Sequence, residues 1–180
     1  MSEFHELLRR NRLFAANVDL TRLAMPAAMP ERIPLVITCA DPRVEPADFL
    51  GVNTGDAGVL RNAGGRVDDR VIEDIAFLAM RLRVRIDVAV IHHTQCGTGM
   101  LADPDFRHTI AGRAGGNDAD LAAKAVTDPV ETVRCDVAKL LDNPMLAGDL
   151  VASVSGYVLR LETGLVEMIV EATMTERAPA

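Results

Sequence analysis

The chain has 180 residues, 49% of them hydrophobic, and a formal net charge of −7, which suits one folded domain with an ordinary core rather than a disordered chain. One Tyr, five Phe and no Trp leave few stacking platforms for single-stranded nucleic acid, and the acidic balance supplies no Lys/Arg excess for a phosphate backbone. Both features argue against a nucleic-acid partner.

The N-terminal stretch MSEFHELLRRNRLF mixes charges into its first turns and shows neither the continuous apolar segment nor the small-residue cleavage site of a secretory signal. No stretch approaches the roughly 18 uninterrupted apolar residues of a membrane span, so a soluble, cytoplasmic protein with no membrane partner is expected. Three cysteines are too few for a disulfide framework, which leaves metal binding, catalysis or burial as their uses. Cys135 is expected to be the buried one.

Along the chain, Phe4, Leu7, Leu8 and Leu13 fall near helical spacing with Arg9, Arg10 and Arg12 on other faces, predicting an amphipathic helix over residues 3–16. The proline-rich stretch Met25 to Pro34 reads as a connector, so residues 1–30 form an N-terminal arm and connector to a single domain over 1–180. Leu35 to Thr38 is a short buried strand, after which Pro42 and Pro46 force an irregular loop carrying Asp41 and Arg43. A second strand at Gly58 to Arg61 leads into the turn Asn62-Ala63-Gly64-Gly65, which fits neither dinucleotide nor P-loop phosphate patterns and reads as structural. From Asp68 onward Val71, Ile72, Ile75, Leu78, Ala79 and Leu82 form a helical stripe. Ile86 to Ile91 is near-continuously apolar, as befits a central parallel strand.

Beyond Gly97, the polar, Gly-rich segment Ala111 to Asp120 reads as a surface excursion that could act as a lid. Asp128, Pro129 and Glu131 open a helix that carries Val130, Val133, Val137, Leu140 and Leu141 inward and also contains Cys135. Leu150 to Leu159 and Leu165 to Val170 flank a Glu162-Thr163-Gly164 turn and form a hairpin. The expected fold is α/β: one domain with a mostly parallel sheet of four to five strands, flanking helices, the N-terminal helical arm and an antiparallel edge strand.

Chemistry-bearing residues gather at two strand ends, VITCADPR and HHTQCG. Cys39, His93 and Cys96 offer two thiolates and an imidazole, a set suited to zinc, and His-x-x-Cys lets two side chains converge from one turn. Three protein ligands leave one position open, as catalytic zinc sites do. Cys39 is far from His93 in sequence, however, and spacing alone equally allows buried cysteines beside a core histidine. His92 is expected to be a buried, satisfied side chain, His108 to be exposed with proton shuttling as its one conceivable use, and His5 to have no role.

Cys39-x-Asp41-x-Arg43, then Gly55-Asp56-Ala57 with Arg61-Asn62-Ala63-Gly64, then His93-x-x-Cys96-Gly97, in this order, resemble the β-class carbonic anhydrases. The similarity runs from about Val36 to Met100, about a third of the chain, and His92-His93-Thr94 resembles the short prokaryotic subgroup. The resemblance implies one zinc ion per chain on Cys39, His93 and Cys96, with water or hydroxide as fourth ligand, and hydration of carbon dioxide to bicarbonate by the zinc-bound hydroxide. It implies that Asp41 accepts a hydrogen bond from that hydroxide, that Arg43 orients Asp41, and that the Gly97 N–H helps to hold a substrate oxygen. It also implies a homodimer or a larger assembly of dimers. Gln95 stands where the short subgroup often has Asp. Carbonyl sulfide or carbon disulfide hydrolysis at the same zinc is the alternative activity, and a non-catalytic zinc or bicarbonate-binding module is the alternative from another class.

Overall fold

The computed structural model describes residues 4–146 and 148–175; residue 3, where the sequence places the start of the first helix, lies outside them. The elements in order are α1 (Phe4–Asn17), β1 (Arg32–Cys39), α2 (Pro46–Phe49), β2 (Gly58–Asn62), α3 (Asp69–Leu82), β3 (Arg85–His93), α4 (Pro104–Ala114), α5 (Asp118–Ala123), α6 (Pro129–Leu141), β4 (Val151–Arg160) and β5 (Leu165–Met174). Short 3₁₀ turns lie at Leu20–Leu23, Ala63–Gly65 and Gly97–Ala102. The five strands form one sheet in the order β2-β1-β3-β4-β5, with the first four parallel and β5 antiparallel to β4.

The strand order reverses direction between β1 and β3, because β1 connects outward to β2 on one side and the chain then returns to its other side. In open α/β sheets such a switch leaves a crevice beyond the strands' carboxyl ends. β1 ends at Cys39 and β3 at His93, so the crevice receives both.

One sheet face is covered by α3 and α6. Leu35, Ile37, Ile86, Val88, Val90, Val154 and Val158 from the strands pack with Val71, Ile75 and Ala79 of α3 and Val133, Val137 and Leu140 of α6. The helix signals act as the sequence implies: Asp68 caps α3 by accepting from the Val71 N–H, and Asp128 caps α6 by accepting from Val130 and Glu131, with Pro129 next. The opposite sheet face has a smaller cluster of Val36, Val44, Ile91 and Leu159, joined by Phe49, Ala89 and Tyr157. Helix α1 buries none of its residues, and Leu7, Leu8, Leu13 and Phe14 stand exposed.

Two expectations need correction. Cys135 is exposed, because the inward face of α6 is set by Val133, Asp136, Val137 and Leu140, and position 135 turns away from it. The segment from Ala111 to Asp120 lies at the surface as expected and is largely helical: α4 ends on Gly115 in the left-handed conformation, and Asn117 caps α5 through the Ala119 N–H. The first strand begins at Arg32, earlier than the connector expectation allows. Pro34 fits there because β1 pairs with β2 only from Leu35 onward, so no ladder bond is lost on that side.

The missing N–H of a proline is a small matter beside the charge buried between α6 and the sheet. Asp136, fully buried, receives Arg66 in a fork, Nε to Oδ2 at 2.6 Å and Nη2 to Oδ1 at 3.1 Å. His92 Nε2 lies 3.2 Å from Oδ2 and Lys139 Nζ 3.3 Å from Oδ1. Burial alone would raise this carboxyl, but His92 and Arg66 hold it well below the usual carboxylate range. Its folded-state pKa is therefore depressed, so its stabilisation is fully present above the unfolded-state value of about 4 and is lost as pH falls toward the folded-state value. Asp136→Asn is expected to lower the unfolding free energy by about 3 kcal/mol at pH 7, since it strands a buried guanidinium, and to flatten the decline of stability below pH ~4. Urea denaturation across pH checks both; an unchanged midpoint at neutral pH would contradict the assignment.

Candidate metal centre

The parallel register sets Thr38 opposite Ile91, which brings Cys39 beside the last residues of β3. Thr38 secures this end by donating its hydroxyl to the Ile91 carbonyl at 2.8 Å. After His93 the chain leaves the sheet through Thr94 and Gln95, and Cys96 returns toward Cys39. Gln95 is left-handed, with φ 56°, which allows so short a return. The turn is tied down from the β4–β5 corner: Glu162 accepts from Thr94 Oγ1 and from Gln95 Nε2, both at 2.9 Å.

Cys39, His93 and Cys96 each present a ligand atom, and all three atoms lie within 4.8 Å of one another. The two sulfurs are 3.9 Å apart, close to the ~3.8 Å that two thiolates about 2.3 Å from a tetrahedral zinc would show. His93 is buried, and its Nδ1 faces the Thr94 carbonyl at 2.9 Å. That bond requires the proton on Nδ1 and leaves Nε2 as a lone-pair donor, and Nε2 is buried without a hydrogen-bond partner among the described residues. A buried, unsatisfied acceptor beside two sulfurs is costly unless something electrophilic binds there. The donor set therefore fits a zinc-type cation. The sulfurs also compete for one proton: contact with Cys96 pushes the Cys39 thiol up to about 12, and contact with Cys39 brings Cys96 down to about 6. A cation at the centre would displace that proton.

Asp41 and Arg43 stand beside this cluster. The Asp41 N–H points to Cys39 Sγ at 3.4 Å. Arg43 forks onto the Asp41 carboxylate, Nε to Oδ1 at 3.0 Å and Nη2 to Oδ2 at 2.7 Å, and its backbone N–H adds a third bond to Oδ1 at 2.9 Å. The guanidinium holds the Asp41 carboxyl down to about 2, so it is ionised throughout the neutral range. Arg43 Nη2 also donates to the Gln95 carbonyl at 3.2 Å, which couples the two strand-end loops. Gly97 opens the 3₁₀ turn after Cys96, where the first N–H groups have no partner within the turn. His108 is exposed on α4 and His5 is exposed on α1, while His92 is buried with Nδ1 2.8 Å from Thr132 Oγ1.

The motif Arg61-Asn62-Ala63-Gly64 and the turn that follows it show no sign in the sequence of the contacts they make. Arg61 donates to the carbonyls of Cys39 and Asp41 and to Glu45, bracing the whole 39–45 loop. Asn62 exchanges two bonds with the Arg66 backbone and clasps the intervening glycine turn. In that turn Gly65 has φ 65°, and a Cβ on it would lie 2.8 Å from the Cys39 nitrogen. The turn therefore presses on the backbone of a ligand residue.

The fold and the cluster define an α/β protein with a Cys-His-Cys cluster that could hold a metal ion at the switch point of its sheet. The family model for carbonic anhydrase matches residues 34–111. The chain is 32% identical over 155 residues to β-carbonic anhydrase 1 of Mycobacterium tuberculosis, which covers 83% of this chain and 91% of that protein. It superposes on a carbonic anhydrase from Streptococcus mutans with a TM-score of 0.74 at 30% identity, covering 94% of this chain and 98% of that one. A shorter match, 40% identical over 62 residues, links it to a carbon disulfide hydrolase of Saccharolobus solfataricus, covering 34% of this chain and 30% of that protein. The chain belongs to the β-carbonic anhydrase family.

Gly65→Ala is expected to destabilise the fold by about 1–3 kcal/mol, through the left-handed backbone and the contact with Cys39, and to weaken metal retention. Thermal unfolding with and without a chelator checks this; no change in either quantity would show that the turn does not constrain Cys39.

Proposed function

We propose that this chain catalyses the reversible hydration of carbon dioxide to bicarbonate and a proton, with one zinc ion per chain held by Cys39, His93 and Cys96. The observation that carries the proposal is the buried, unpartnered His93 Nε2 beside two sulfurs, with an ionised carboxylate at their edge. Zinc in that position would supply a Lewis acid able to make a water molecule nucleophilic near neutral pH.

The chain's own residues then have separate tasks. Asp41, held acceptor-only by Arg43, takes a hydrogen bond from the attacking water and so aims its lone pair at the substrate carbon. Arg43 fixes the carboxylate plane and keeps the acid unprotonated, so Asp41 orients the water and does not store its proton. The Gly97 N–H stands near enough to Cys96 in the chain to serve as donor to a substrate oxygen. Gln95 turns its side chain to Glu162 and its carbonyl to Arg43, which places its role in holding the loop.

The stretch shared with a carbon disulfide hydrolase supports a second reading, in which the same centre hydrolyses carbonyl sulfide or carbon disulfide. A non-catalytic zinc or bicarbonate-binding module would have no use for an acceptor-only carboxylate at the edge of the cluster. The exposed apolar residues Leu7, Leu8, Leu13 and Phe14 of α1 support a homodimer, or an assembly of dimers, in which this face is covered. No helix among the described residues is long and apolar enough to cross a membrane. A cytoplasmic location suits a site that needs reduced thiols.

Stopped-flow measurement of the zinc-loaded protein should show carbon dioxide hydration, and Asp41→Asn should retain zinc while losing about a hundredfold in kcat. Full activity in that variant would remove Asp41 from the mechanism. Sulfide release from carbonyl sulfide without carbon dioxide hydration would favour the second reading. In light scattering at micromolar concentration the chain should run as a dimer or a multiple of it; a monomer would contradict the proposed cover for α1.

A further inference from the structure

The two ligand sulfurs are not treated alike by their surroundings. From outside the cluster, Cys39 Sγ is approached by backbone amides only, those of Asp41, at 3.4 Å, and of Gly64. Cys96 Sγ has the Thr98 backbone N–H and, in addition, a side-chain hydroxyl, Thr98 Oγ1 at 3.1 Å, against it. A thiolate has no hydrogen to give, so in the ligated state the hydroxyl must be the donor in this pair.

Thr98 is held in place for this contact. It lies in the first turn after Cys96, within the 3₁₀ segment Gly97–Ala102, and its β-branched side chain has few rotamers. Across from it stands Gly64, left-handed with φ 86°, on which a Cβ would lie 3.0 Å from Thr98 Oγ1 and 3.2 Å from the Lys124 carbonyl. The glycine turn thus does two things at once: Gly65 lets the chain pass against Cys39, and Gly64 leaves the space in which the Thr98 hydroxyl reaches Cys96.

The electrostatics give that hydroxyl something to do. Two thiolates and the Asp41 carboxylate bring three negative charges together, while Arg43 is forked onto Asp41 and Arg61 onto backbone carbonyls and Glu45 rather than onto a sulfur. Thiolates donate more charge to a metal than imidazoles, which weakens the metal's pull on its remaining ligand. A hydrogen bond to a charged acceptor is about twice as strong as a neutral one and withdraws density from it. We propose that Thr98 is a positioning residue that donates its hydroxyl to the Cys96 thiolate and thereby sets the charge this sulfur passes to the metal. This inference rests on the metal reading given above, and its recognition element is the donor itself: Ser at 98 retains it, while Val and Ala remove it.

Cobalt(II) substitution in the full-length protein reads the sulfur charge directly, through the sulfur-to-cobalt charge-transfer absorption. Wild type should show that band, and Thr98→Val, which keeps the shape and the backbone N–H but removes the hydroxyl donor, should move it to longer wavelength, because a sulfur relieved of that hydrogen bond holds its electrons less tightly. Thr98→Ala should move it the same way and Thr98→Ser should leave it at the wild-type position. With zinc, kcat for Thr98→Val should fall about tenfold with little change in KM, and Thr98→Ser should restore it. A wild-type protein with no sulfur-to-cobalt band would overturn the metal reading itself. A normal wild-type band that stays put in both the valine and alanine variants would overturn the role of Thr98 alone.

Discussion

The site depends on the parallel pairing of β1 with β3. Each strand is apolar over most of its length and is ordered by burial against α3 and α6, and their register is anchored at the carboxyl end by the Thr38 hydroxyl on Ile91. With this pairing in place, Cys39 and His93 arrive at one crevice without any contact between them having to stabilise the fold. Cys96 is the ligand delivered by a loop, and the loop is correspondingly tied, with Gln95 in a left-handed conformation, Glu162 holding two of its residues and Arg43 holding a third group. A rigid sheet supplies two of the candidate ligands and a braced turn the third.

The charges are arranged in two tiers. Next to the crevice lie two potential thiolates and Asp41, offset by the Arg43 fork and by N–H and O–H donors. Behind it, on the other side of β3, Asp136 gathers Arg66, His92 and Lys139. Successive residues of a strand face opposite ways, so His92 joins the buried tier while His93 faces the crevice. Arg66 links the tiers through the backbone, because Asn62 clasps it around the glycine turn and the Asn62 carbonyl receives the Ala40 N–H. The cost of burying Asp136 and Arg66 is thereby coupled to the placement of the loop that follows Cys39.

Much of this was legible in the sequence wherever a residue's role follows from its neighbours in the chain. The short apolar runs marked β1 and β3, the Asp-Pro start marked α6, and Pro42 and Pro46 marked an irregular loop for Asp41 and Arg43. What the sequence left open were partnerships over long distances. Asp136 interrupts an apolar stripe, and its partner Arg66 is 70 positions away. Thr98 and Glu162 look like ordinary surface residues until the fold brings Cys96 and Gln95 to them. The same holds elsewhere: residue type suggests burial for Cys135, whereas the helix turn decides its face, and the Gly-rich composition of 111–120 marks a surface segment without showing that Gly115 and Asn117 cap two helices.

The central claim is that three residues from two strand ends hold one zinc ion and leave a fourth position free of sulfur. X-ray absorption at the zinc edge of the purified protein at neutral pH addresses it directly. The expected result is two sulfur scatterers at about 2.3 Å and two nitrogen or oxygen scatterers at about 2.0–2.1 Å, with the sulfur count falling to one in Cys96→Ser. A shell without sulfur, or one unchanged in that variant, would contradict the account.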